Sequence, residues 1–113
     1  MAFEMYEMAN LRSRLTGLPV TIYVTLGGDE IQHAARIKVS SLYGDKMRKD
    51  AMFSMTISNS PEAIGDTGEI KSRDIKEIKQ FIIKNREMLQ ALWDDEAGIE
   101  DLVDVIRERE KNP

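Results

Sequence analysis

Residues 19–39, PVTIYVTLGGDEIQHAARIKV, decide the fold. Val20, Ile22, Val24 and Leu26 alternate with Thr21, Tyr23 and Thr25, the period of two that marks a strand with one apolar face. Gly27-Gly28-Asp29-Glu30 reads as a turn, because glycine accepts the positive φ that tight connections demand. The return arm alternates again, with Ile31, His33, Ala35, Ile37 and Val39 on one side and Gln32, Ala34, Arg36 and Lys38 on the other. Placing Leu26 opposite Ile31 pairs Val24 with His33, Ile22 with Ala35 and Val20 with Ile37, which collects both apolar rows on one face. An isolated hairpin is marginal in water, so the rest of the chain must supply a third strand and a helical cover.

Downstream, residues 51–57 alternate Ala51, Phe53, Met55 and Ile57 with Met52, Ser54 and Thr56, and form the third strand. Asn59-Ser60-Pro61 ends it, and residues 61–68 read as a loop. Ser72 suits the N-cap of a helix over residues 73–93, with Ile75, Ile78, Ile82, Leu89 and Trp93 along its apolar stripe. A second amphipathic helix carries Ile99, Leu102, Val103 and Ile106. Its acids lie at the start and its bases at the end, as the helix dipole favours. Upstream, residues 1–14 read as a short helix or an arm, Met8-Ala9 as a possible second translation start, and residues 15–18 as the approach to the first strand. The expected architecture is α+β: a three-stranded antiparallel sheet covered on one face by two C-terminal helices. Residues 1–18 are the N-terminal arm, and residues 19–113 a single domain.

The chain has 113 residues, 42% hydrophobic and 32% charged, which suits one soluble globular domain. No apolar run approaches the ~20 residues of a membrane helix, and Glu4 and Glu7 stand where a secretory signal would be basic. There is no cysteine, which removes disulfides and thiolate chemistry and fits a cytoplasmic setting. Net charge is −4, unevenly spread: residues 1–60 hold seven Lys/Arg against six Asp/Glu, residues 61–113 nine against fourteen. Such a balance argues against a bulk electrostatic grip on nucleic acid, yet leaves room for a local basic patch.

The residues that could carry chemistry are few. His33, the single histidine, falls on the apolar row beside Val24, where a hydrogen-bonded core imidazole is the preferred reading over a general base; no nucleophile pairs with it by spacing. The acids Asp94, Asp95, Glu96, Glu100, Asp101 and Asp104 lack the ligand spacing of a calcium loop and read as helix-start electrostatics. Gly27-Gly28 is no phosphate cradle, since no Lys-Ser/Thr and no helix follow. Trp93, at the end of its stripe, reads as a core plug. No cofactor, metal or catalytic residue is expected. The sharpest surface is basic: Arg36 and Lys38 on the outward hairpin face with Tyr23, and Lys46, Arg48 and Lys49 in the following loop, with Arg12 and Arg14 in the arm.

The strings IQHAARIKVSSLYG (residues 31–44) and IKQFIIKNREMLQALW (residues 78–93) resemble an uncharacterised family of small bacterial proteins placed near toxin–antitoxin or mobile-element genes. Members resemble one another in a short antiparallel sheet followed by a helix with an N-[RK]-E-x-L-x-x-x-W ending, here Asn85, Arg86, Glu87, Leu89 and Trp93. The resemblance covers residues 19–106, with residues 1–6 unusual for the group, and it implies a fold without assigning an activity. The leading expectation is therefore a non-enzymatic cytoplasmic module that binds a protein through its outward sheet face and basic loop. The alternative is a nucleic-acid-associated regulator or toxin–antitoxin component using the same residues on RNA or DNA; a small hydrolase around His33 comes last. A homodimer is also expected, because residues 51–58 offer an edge with neither charge nor proline.

Overall fold

A computed structural model describes residues 7–26, 34–44, 48 and 50–111. The elements run β1 (Glu7–Leu11), α1 (Ser13–Thr16), β2 (Ile22–Leu26), β3 (Arg36–Ser40), β4 (Met52–Thr56), β5 (Ala63–Ile64), α2 (Ser72–Lys84), α3 (Arg86–Trp93) and α4 (Ile99–Lys111). The class is α+β with an antiparallel sheet, as the segregation of strands and helices requires. The sheet has five strands rather than the expected three, in the order β1-β2-β3-β4-β5.

The two additional strands come from segments without a strand signature. Residues 7–11, expected as helix or arm, pair antiparallel with β2, with Ala9 opposite Val24 and Leu11 opposite Ile22. The open edge of β2 supplies the hydrogen-bonding partners, and the apolar residues of this strand that face the core, Ala9 and Leu11, are too few to declare a period of two. Likewise, Ala63 and Ile64 leave the expected loop to pair with Met55 and Ser54. β5 thus covers the edge of β4 at Ser54 and Met55.

The hairpin register differs from expectation as well. Ile22 faces Val39 and Tyr23 faces Lys38, so Ile22 is displaced four residues from its expected partner Ala35. An even displacement keeps every side chain on its face. The register is held at the far end of the hairpin, where Ser40 N–H donates to Thr21 O (3.0 Å) and Gly44 N–H to Pro19 O (2.9 Å). Gly44 adopts φ 78° at that crossing, a left-handed conformation that glycine takes without strain. His33 and residues 27–32 lie outside the described residues.

One core joins the sheet and the helices. Ile22, Val24, Ile37, Val39, Phe53 and Met55 from the sheet are buried together with Ile78, Phe81, Ile82, Leu89, Leu92, Leu102 and Ile106 from the helices, with Ile57 and Ile75 packed at the margin. α3 lies against β2, and Trp93 at its end is buried. The expected helix over residues 73–93 is two helices, broken at Asn85 (φ −110°, ψ 17°). Asn85 is buried. Its Nδ2 donates back to Phe81 O (2.9 Å), its Oδ1 accepts from Arg109, and the Arg109 Nη2 donates to Lys84 O (3.0 Å). A side-chain amide that competes for backbone carbonyls bends the chain there, and the arginine from α4 satisfies the carbonyl that the break exposes.

At the start of α2 the cap position is Lys71, not Ser72, and no local side chain caps it. The Tyr43 hydroxyl serves instead: it accepts the Lys71 N–H (2.9 Å) and donates to the Asp74 carboxylate. The α2 terminus is thereby tied to the chain that follows β3. Gly68 sits in the approach to α2 at φ 61°, where a Cβ would lie 2.9 Å from Ser41 Cβ. The close approach of these two loops needs glycine.

Candidate functional site

Side-chain parity builds the outward face of the sheet. Asn10, Tyr23, Lys38, Ser54 and Ile64 succeed one another as cross-strand partners, so they form one row from edge to edge. Met8 faces Thr25 on one side of that row, and Arg36 faces Thr56. On the other side Ser40 faces Met52, and Arg12, two residues beyond Asn10 on extended backbone (φ −80°, ψ 162°), falls on the same face. Tyr23, Arg36 and Lys38 are thus brought together. Arg12, expected in the basic set as part of the arm, joins them: once residues 7–11 run as a strand, the alternation Met8, Asn10, Arg12 gives its side.

Exposure departs from expectation. Lys38 and Arg12 are exposed and Arg36 half-buried, with its Nε donating to Ala34 O (3.3 Å). By contrast Thr21, Tyr23 and Thr25, expected to face solvent, are buried at 0%, 8% and 9% exposure. These residues stand between strands that carry longer side chains, Met8 and Arg12 on one flank and Arg36 and Lys38 on the other. The Tyr23 hydroxyl is buried without a hydrogen-bond partner among the described residues. Burial pushes its pKa above the ordinary 10.0, and the Arg12 charge pulls it the other way.

Of the other expected basic residues, Arg48 is described and lies in the loop between β3 and β4. Arg48 pairs with Asp50 at 3.1 Å, both well exposed. Lys46 and Lys49 lie outside the described residues, as does Gln32. Among the described residues the acids form no group of three spaced to hold a metal ion. Asp101 Oδ2 accepts the Gly98 N–H (2.9 Å) at the start of α4, and Gln90 reaches both carboxylate oxygens of Asp94 (3.2 Å each), which are structural duties.

A concavity lies between α1, α2 and α4. It encloses about 410 Å³ over Leu18, Phe81 and Ile106, with Arg73, Lys76, Lys84 and Arg109 on its rim beside Glu77 and Glu110. The spacing Arg73, Lys76, Gln80, Lys84 along α2 could have disclosed this polar stripe, but with Glu77 beside it the stripe reads in sequence as a solvated helix face. No described helix is long and apolar enough to cross a membrane.

No protein-family model, curated protein or solved structure matches the chain.

Proposed function

We propose that this chain is a non-enzymatic interaction module that takes an acidic segment of a partner protein on its outward sheet face. One observation carries the reading: Arg12, Arg36 and Lys38 share that face, and none of them meets a carboxylate within ion-pair distance among the described residues. In a protein of net charge −4, three cations on one surface with no ion pair among the described residues make a local positive field, which steers and orients an acidic partner. The lack of cysteine suits a reducing cytoplasm as the setting. The same cations suit the phosphates of RNA or DNA. That reading loses its stacking platform, worth ~1–3 kcal/mol per base, because the Tyr23 ring is buried.

The test is charge reversal. Arg36→Glu/Lys38→Glu keeps the fold, since surface pairs of such residues are worth ~0–1 kcal/mol each, and it abolishes binding of an acidic peptide in calorimetric titration. Purified parent protein runs free of nucleic acid, judged by the ratio of absorbance at 260 and 280 nm. A reversed variant that binds the peptide unchanged, at the same salt dependence, refutes the proposal.

A further inference from the structure

Resting on that reading, we propose that Tyr23, Arg12 and Lys38 form the seat for one carboxylate of the partner's acidic segment. Tyr23 and Lys38 are direct cross-strand partners, so their Cβ atoms stand about 4.5–5.5 Å apart. Arg12 is diagonal to Tyr23 on the neighbouring strand, about 7–8 Å away and within reach of a long side chain. Its charge acts on the phenol. All three groups can donate hydrogen bonds, and among the described residues none of the three side chains finds an acceptor.

A buried hydroxyl left without a partner is uncommon and costs free energy until it is satisfied. Neighbouring donors on one face without an acceptor are the complement of an oxyanion. A planar two-oxygen carboxylate matches the guanidinium fork and leaves an oxygen for the hydroxyl. A nucleic-acid strand would instead need several phosphate seats and an open aromatic face, and the one aromatic ring of this row is buried. The hydroxyl is closed to solvent, so binding includes a movement that opens it.

The test uses the full chain and a hexaglutamate peptide in calorimetric titration at low salt, with melting followed in parallel. Tyr23→Phe removes the oxygen and keeps the ring. It melts no lower than the parent, because no hydrogen bond is lost, and binds the peptide about tenfold more weakly, the loss of one hydrogen bond to a charged group. Arg12→Gln weakens binding to a similar degree, and the double variant loses less than the product of the two, since both side chains hold the same carboxylate. Tyr23→Phe that binds as the parent does, or that melts several degrees lower, overturns the seat; the interaction reading stands if Arg36→Glu/Lys38→Glu has lost the peptide. Parent protein that ignores the peptide, or a charge-reversed variant that binds it unchanged, overturns the interaction reading itself. Inorganic phosphate or a hexanucleotide RNA that binds more tightly than the peptide, with the same loss in Tyr23→Phe, overturns the carboxylate as ligand.

Discussion

Strands β2 and β3 follow the same alternation and live in different environments. Along β3 the side chains run buried and exposed by turns about Ile37, Lys38 and Val39, as a one-sided strand should. Along β2 every residue from Ile22 to Thr25 is buried, on both faces. Parity tells which side of a sheet a residue occupies; the length of its neighbours' side chains tells whether water reaches it. Lys38 carries its ammonium beyond the surface on a four-carbon stem, whereas Thr21 and Thr25 end below that height. The outward surface is therefore a basic frame of Arg12, Arg36 and Lys38 around a covered strip of hydroxyls.

Substitutions on the two strands and on the helices over them differ in expected cost, the core substitution being the largest. Ile78→Asp on α2 places a charge against the core face with no partner, at a cost of about 3–5 kcal/mol in denaturant unfolding. A variant that unfolds with the parent would mean that the helices do not cover that face. Next comes the covered strip: Thr21→Lys should cost about 1–3 kcal/mol, while Lys38→Thr, the reverse exchange on the neighbouring strand, stays within ~0.5 kcal/mol. Equal effects of the two exchanges would erase the distinction between β2 and β3.

Smaller effects sharpen the picture away from the strip. Arg109→Met leaves the buried Asn85 Oδ1 and the Lys84 carbonyl without their donor, for a loss of ~1–2 kcal/mol. The amide exchange of residues near the α2–α3 break should quicken in the same variant. The smallest effect is alkaline. The hydrogen bond to Asp74 raises the Tyr43 pKa, and burial raises that of Tyr23, both above 10.0. In the unfolded chain these phenols ionise first, so the stabilisation they provide is complete below about pH 10 and is lost as pH rises through the raised values. Tyr43→Phe should flatten the fall of melting temperature above pH 10, and a parent whose melting temperature is level there would contradict the Tyr43–Asp74 contact.

What the chain determines locally is legible in its sequence because the signals are local. The alternation of residues 20–26 and 51–57 sets their inward and outward sides, the stripe from Ile78 to Leu92 sets the buried helix face, and Glu100 and Asp101 against Arg109 and Lys111 orient α4 along its dipole. What depends on a distant partner was decided only in three dimensions. β1 and β5 are strands because β2 and β4 offer them hydrogen bonds, not because Glu7–Leu11 or Ala63–Ile64 alternate strongly. The hairpin register is set by Thr21 and Pro19 meeting Ser40 and Gly44. The break in the long helix is held open by Arg109, more than twenty residues away from Asn85 in the chain. The candidate site shows the same division: parity placed Arg36, Lys38 and Tyr23 on one face, but the burial of Tyr23 and the arrival of Arg12 depend on β1. A period in sequence reports a side chain's direction, and only the packed neighbours fix its contact with water.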